Sequence, residues 1–288
     1  MQVLVTGASG FIGEYVVRAL FEAGHDVIGL DTGKPTLEEW IDADITQPIA
    51  SIPGLDAVIH LAAISHPRDC DNQPAAAFNV NVNGTHQVLK MAMESGAKKV
   101  VFASTAHVYG ISPRYLPTDE THPLWLQNNY TLTKILGEQL CQLYYENHGL
   151  SYTVLRLFNA YGPGQGRGYF IPDMMAKTED IDLGDGGHTT KDWVYIEDVA
   201  RAFVLALETD FVGPVNIGTG IETPLHSIAG RIVSENGFAC QVEWHNAAEI
   251  WTRMCADISR AERVLGWSPS KSIWEGLDAI LGKVRSIS

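Results

Sequence analysis

The spacing of apolar residues changes period repeatedly over the first half of the chain, and each change marks an element. Val3, Leu4 and Val5 are a continuous aliphatic run, the pattern of a short strand buried on both faces of a parallel sheet. From there Phe11, Ile12, Tyr15, Val16, Ala19 and Leu20 recur at helical intervals, which predicts a helix directly after that strand. "HDVIGLD" reads as a second strand closing at Asp31, and "AVIHLAA" as a third. A helix over about 74–95, a strand "KKVVFAS", a helix over about 129–148 and a strand "SYTVLRLF" continue the alternation. Strand and helix in turn predict an α/β fold with a parallel, doubly wound sheet.

Further on the pattern loosens. "NAYGPGQGRGYFIP" reads as irregular, "GDGG" as a turn, and "DWVYIEDVARAFVLAL" as a strand and helix returning to the first unit. The expected division is one domain over 1–161, with 190–218 returning to it, and a smaller lobe from 162–189 and 219–288. That lobe would close over the carboxyl edge of the sheet, where ligands bind in such folds.

Between the first strand and helix stand Gly7, Gly10 and Gly13. Gly7 permits a tight turn, Gly10 a close backbone approach and Gly13 the packing of helix on strand, while the unpartnered amides of the helix start attract a pyrophosphate. This is the fingerprint of a Rossmann-type dinucleotide site, and Asp31 ends the second strand where a carboxylate accepts from the adenosine ribose hydroxyls. Its charge would repel a 2′-phosphate, so the expected cofactor is NAD rather than NADP; Lys34 nearby weakens that preference slightly.

Composition narrows the partners. A net charge of −14 over 288 residues argues against nucleic acid or an anionic membrane surface. The longest apolar stretch is too short to span a bilayer and the first strand begins at once without a signal peptide, so a cytoplasmic protein is expected. Cys70, Cys141, Cys240 and Cys255 lack metal-type spacing and read as reduced, mostly buried residues; no metal site is expected.

Tyr130 and Lys134 are i and i+4 in "NNYTLTKILGE" and project from one helix face. Ser104 and Thr105 leave the preceding strand at the same carboxyl edge as the glycine turn and Asp31. Lys134, with a nicotinamide ring, would lower the pKa of Tyr130, making it a general base on a substrate hydroxyl while Thr105 holds the oxygen.

Together "TGASGFIG", "HLAA", "NVNGT", "FASTAHVYG", "YTLTK", "RLFNAYGPGQ", "GDGGHTTKDWVYIEDVA", "NIGTG" and "LGWSP" resemble the extended short-chain dehydrogenase/reductases of the NAD-dependent nucleotide-sugar epimerase/dehydratase group, over nearly the whole chain and in order. The resemblance implies that Phe11, Ile12, Asp44, Ile45, Leu61, Ala62 and Ala63 border the cofactor, with Ser104, Tyr130 and Lys134 at its nicotinamide end. It also implies that Asn81 braces the nicotinamide-side loop, and that Asn159, Arg253 and Asp257 meet a nucleotide-diphosphate sugar. Lys191 stands where the group has an arginine, and can neutralise a phosphate without a bidentate contact. Members that eliminate water carry an acidic pair or glutamate after the threonine, where this chain has Ala106 and His107. His107 reads as an outward loop histidine, a proton donor or substrate contact being the alternative. The resulting expectation is a UDP-sugar 4-epimerase, a homodimer through a four-helix bundle of the 74–95 and 129–148 helices. A 4-ketoreductase or dehydrogenase with net redox, and a non-catalytic dinucleotide sensor, remain the alternatives.

Overall fold

The computed structural model describes residues 1–241 and 252–285. The first strand, β1 (Gln2–Thr6), sends Val3 and Val5 into one hydrophobic layer and Leu4 into the other. It is followed by α1 (Phe11–Glu22), β2 (Asp26–Asp31), β3 (Trp40–Asp42), β4 (Ala57–His60), α2 (Pro67–Asn72), α3 (Pro74–Phe78), α4 (Thr85–Glu94), β5 (Lys99–Thr105), α5 (Asn129–His148) and β6 (Ser151–Leu157). The second half adds β7 (Asn159–Tyr161), α6 (Phe170–Met175), β8 (Ile181–Asp182), β9 (Thr190–Tyr195), α7 (Ile196–Glu208), β10 (Gly213–Ile217), β11 (Glu222–Pro224), α8 (Leu225–Glu235), β12 (Cys240–Gln241), α9 (Ser259–Leu265) and α10 (Ile273–Arg285).

Seven strands form one sheet in the order β10-β6-β5-β4-β1-β2-β3, every neighbouring pair parallel. Alternate strand residues feed the two layers: Val101 and Leu155 lie with α1 and α7 residues such as Leu20 and Phe203, Val100 and Val154 with α4 and α5 residues such as Leu89 and Cys141. This is the expected doubly wound, Rossmann-type α/β architecture. The direction of winding reverses between β1 and β4, so a crevice opens beyond their carboxyl ends.

The helix that carries Tyr130 starts where its sequence provides a cap. The Asn128 side chain accepts from the Thr131 amide at 2.9 Å and the Thr131 hydroxyl accepts from the Asn128 amide at 3.1 Å, a reciprocal capping box. It ends at Gly149 in the left-handed conformation.

Three elements differ from expectation. The helix over 74–95 is interrupted: Asn79–Gly84 forms a π-helical turn between α3 and α4. There the Thr85 hydroxyl donates to the Asn81 carbonyl at 2.6 Å, a side chain bonding four residues back in a way that bends helices. The stretch read as irregular contains β7 and opens α6, and β9 pairs with β7 and β11 in a separate three-stranded sheet while α7 and β10 rejoin the central one. These short strands are set by pairing between distant segments, which local periodicity does not encode. Positions 242–251 and 286–288 of the expected smaller lobe lie outside the described residues. No helix among the described residues is long and apolar enough to cross a membrane.

Candidate active site

At the end of β1 the chain turns at Gly7, φ +73°, where a Cβ would stand 2.7 Å from the Ala62 amide nitrogen. A Cβ on Gly13 would meet the Gly7 carbonyl oxygen at 2.1 Å, so α1 can seat on the turn only with glycine there. Gly10 caps α1 without any side-chain hydrogen bond, leaving the first amides of the helix directed at the crevice. Above them lies a cavity of about 740 Å³ lined by Gly7, Gly10, Phe11, Ile12 and Gly13 from the turn, Asp31, Asp44 and Ile45 beyond β2, and Leu61, Ala62 and Ala63 after β4. Ser104, Thr105, His107, Tyr130, Asn159 and Lys191 line the same cavity. Collisions awaiting any side chain at the turn, open helix amides and a carboxylate at the end of β2 fit a dinucleotide.

Asp31 is half-buried and already oriented: its carboxylate accepts from the Ser9 amide at 3.1 Å, the Ser9 hydroxyl at 2.8 Å and the Thr32 amide at 2.8 Å. Ser9 was absent from the expected set, although its place inside the glycine turn was the available signal. Asp44 turns its carboxylate to the Thr46 amide at 2.8 Å, and Ile45 packs against Gly84 of the π-helical turn.

Tyr130 and Thr105 meet at the floor. Burial pushes the Tyr130 phenol above its ordinary value, with the neighbouring Thr105 hydroxyl pulling the other way. Among the protein's own groups desolvation governs the tyrosine, and the lowering expected from Lys134 together with a nicotinamide ring belongs to the NAD-bound state. Lys134 lies on the same helix face, but its ammonium donates to the Ala103 carbonyl at 2.9 Å, and burial lowers it to about 8. Ser104 lines the cavity and is held from behind. Its hydroxyl donates to Glu138 at 2.5 Å, and Glu138 forms a buried fork with Arg156 at 3.0 and 2.6 Å. Ser104 thus anchors the end of β5 to α5 and β6 through a charge pair contributed by residues far away in sequence.

His107 does not face outward. Thr105 caps the short 3-10 turn Ala106–Tyr109 by accepting from the His107 amide at 3.2 Å, and the turn carries the imidazole into the cavity, edge-on to Tyr130 with centroids 6.4 Å apart. Burial, then the Lys191 ammonium, depress His107 to about 4, so it is neutral at physiological pH. Burial lowers Lys191 to about 8; its ammonium contacts the Met254 sulfur at 3.3 Å. Asn159 lines the cavity and donates to the Asp192 carbonyl at 2.9 Å.

Four expected residues stand off the lining: Lys134, buried behind it on the Ala103 carbonyl, and three others. Asn81 is 2% exposed and holds Ile64 from both sides, accepting from its amide at 2.8 Å and donating to its carbonyl at 3.0 Å. Arg253 is exposed and forked onto Glu222. Asp257 accepts from the Ser259 amide at 2.9 Å at the start of α9. Conversely, His66 and Tyr169, with rings 5.7 Å apart, line the cavity from two loops that sequence spacing did not connect.

Residues 3–218 match the model of the family described as NAD dependent epimerase/dehydratase. The UDP-glucose 4-epimerase of Mycolicibacterium smegmatis is 33% identical over 96% of this chain and 96% of its own. UDP-glucuronic acid decarboxylase 6 of Arabidopsis thaliana is 29% identical over 96% of this chain and 87% of its own. The crystal structure of UDP-glucose 4-epimerase with UDP-glucose from Thermotoga maritima superposes with a TM-score of 0.87, at 28% identity, covering 100% of this chain and 99% of that one.

Proposed function

The chain belongs to the NAD-dependent epimerase/dehydratase family and NAD is its cofactor; from that premise we propose that it is a 4-epimerase of a UDP-sugar. The observation that carries this reading is the floor of the cavity. Tyr130 and Thr105 line it together, the Thr105 hydroxyl drawing the phenol down against the effect of burial, beside a neutral His107 and the buried Ala106 rather than the carboxylates that water elimination requires.

Bound NAD supplies an acceptor and later a donor of hydride at the sugar C4. Tyr130 takes the proton of the C4 hydroxyl and Thr105 holds that oxygen as charge develops on it. Lys134, one helical turn away, supplies the positive charge that steadies the tyrosine once it is ionised. The 4-keto sugar turns over within the cavity, and the same tyrosine returns the proton when the opposite face is reduced. On this reading Asn159 and Lys191 hold the diphosphate, and Arg253 and Asp257 approach it only if their present partners release them. The smaller lobe, 162–189 with 219–288, receives the sugar nucleotide, while 1–161 with 190–218 holds NAD. Two chains pair through the 74–95 segment and α5, where Phe78 at the end of α3, Val82 in the π-helical turn and Leu140 on α5 border a shallow groove and Leu143 is exposed.

Net redox at C4 uses the same residues, and the relationship to a UDP-glucuronic acid decarboxylase makes loss of a carboxylate a further outcome to watch. Incubation with a panel of UDP-, GDP- and dTDP-sugars, with products read by NMR, tests the reading. A C4-inverted UDP-sugar is expected. A reduced, oxidised or decarboxylated sugar as sole product would replace it, and binding without any turnover would leave a dinucleotide sensor.

A further inference from the structure

His60, at the end of β4, is 1% exposed and belongs to none of the steps above. Its Nδ1 lies 2.7 Å from the Thr6 hydroxyl and its Nε2 3.0 Å from the Thr85 hydroxyl. Counting protons settles the direction of both contacts. Thr85 has one hydroxyl hydrogen and gives it to the Asn81 carbonyl at 2.6 Å, an oxygen that can only accept. Thr85 must therefore accept from His60, so Nε2 carries the ring proton. Burial, helped by the Lys134 ammonium, depresses His60 to about 3, so Nδ1 is bare and accepts from the Thr6 hydroxyl.

From there the sense of donation never reverses. Thr6 donates to His60, His60 to Thr85 and Thr85 to the Asn81 carbonyl. The Asn81 side-chain amide donates to the Thr133 hydroxyl at 3.0 Å, and Thr133 donates to the Tyr130 carbonyl at 2.9 Å. The two runs, Thr6 to the Asn81 carbonyl and the Asn81 side chain to the Tyr130 carbonyl, meet at Asn81 through its covalent frame, and within each run donors aligned in one sense polarise one another. Its two ends are functional. The Thr6 oxygen accepts from the Leu61 and Ala62 amides, both at 3.3 Å, in the loop against which Gly7 packs, and Asn81 clamps Ile64 of the same loop. The far end is the first turn of the helix bearing Tyr130.

We infer that His60, as its neutral Nε2–H tautomer, is a positioning residue that sets the loop 61–64 bordering NAD and ties it to the start of the Tyr130 helix. The π-helical turn acquires a purpose in this light. It brings the Asn81 side chain to Ile64 and Thr133, and its carbonyl to Thr85, at once.

The inference uses the family's NAD dependence but no sugar, so its test is independent of the epimerase reading. ¹⁵N-histidine NMR of the intact protein, with the His60 signals assigned by their loss in His60→Gln, should show the Nε2–H tautomer at pH 7; the Nδ1–H tautomer or an imidazolium would overturn the inference. NAD affinity, measured well below the melting temperature, should weaken about tenfold in His60→Leu, the share of a buried hydrogen-bonding pair left without its centre. His60→Gln, which keeps one donor and one acceptor, should restore most of it. A His60→Leu protein that melts earlier yet binds NAD as wild type does would reduce His60 to a packing residue. If that variant does not fold, the tautomer in the wild-type protein still decides.

Discussion

Replacing Asp31 with alanine separates what its carboxylate does for the turn from what it does for the cofactor. In the protein the carboxylate receives the Ser9 amide and hydroxyl and the Thr32 amide within 3.1 Å, and it is half-buried. All three donors lie near solvent, so water takes over much of their bonding and the fold should lose no more than about 1 kcal/mol. The cofactor loses more. A hydrogen bond from a ribose hydroxyl to a carboxylate is worth roughly 1.5–3 kcal/mol, so NAD should bind on the order of tenfold to a hundredfold more weakly. For NADP the balance differs. A 2′-phosphate, carrying about −1.5 to −2 charge, within about 5 Å of Asp31 meets a repulsion of roughly 5–7 kcal/mol at an effective dielectric of 20, which exposure and salt cut to about 1–2 kcal/mol. The variant should therefore lose NAD affinity while gaining NADP affinity relative to wild type, narrowing the preference by two orders of magnitude or so. Calorimetric titration of both dinucleotides against wild type, Asp31→Ala and Asp31→Asn measures this. Unchanged affinity for both would mean that the ribose does not lie at the end of β2.

Tyr130→Phe keeps the buried ring and loses only the hydroxyl, so bound NAD and melting temperature should hold while turnover falls by roughly two or more orders of magnitude; a fully active variant would remove Tyr130 from the chemistry. Lys191 loses its proton near pH 8, so the KM for the sugar nucleotide should rise as pH passes through 8 in wild type, and Lys191→Met should abolish that inflection in pH–rate profiles. His60 and His107 protonate at about 3 and 4 in the folded protein against 6.5 when unfolded, so the unfolded chain binds more protons below neutrality. The histidine contribution to stability is thus complete above about pH 6.5 and should fall steadily from there toward pH 4, as thermal melts across that range will show. Light scattering at micromolar concentration should give twice the 31.5 kDa chain mass, reduced to one chain by Leu140→Arg on the α5 face; a monomeric wild type would remove the helix-bundle dimer.

What the sequence made legible follows the range of the interactions involved. The β1–α1 turn and the whole of α5 were read because their patterns are local, a periodicity and three glycines at the turn and the 129–148 stretch for α5, which the structure shows bounded by an equally local Asn128–Thr131 cap and Gly149. Asp31 could be placed because β2 follows α1 at once. The π-helical turn was invisible, since it depends on Asn81 reaching Ile64 and Thr133, 17 and 52 residues away. The hold on Ser104 was invisible for the same reason: its partner Glu138 and the charge that holds it, Arg156, stand in two later elements. His107 was read as outward because a loop histidine usually is, whereas the cap by Thr105 rotates the next turn inward. The small sheet joins segments separated by the central domain, so no window along the chain could contain its pattern.

The central claim is that hydride leaves C4 of a UDP-sugar and returns to that carbon on the other face. Supplying a UDP-hexose deuterated at C4, in ordinary water, tests it directly. NMR should show the C4 epimer with its deuterium fully retained at C4, while the absorbance of reduced nicotinamide stays flat through many turnovers. Epimer carrying a solvent proton at C4 would contradict the account, as would net gain or loss of reduced nicotinamide in step with the sugar.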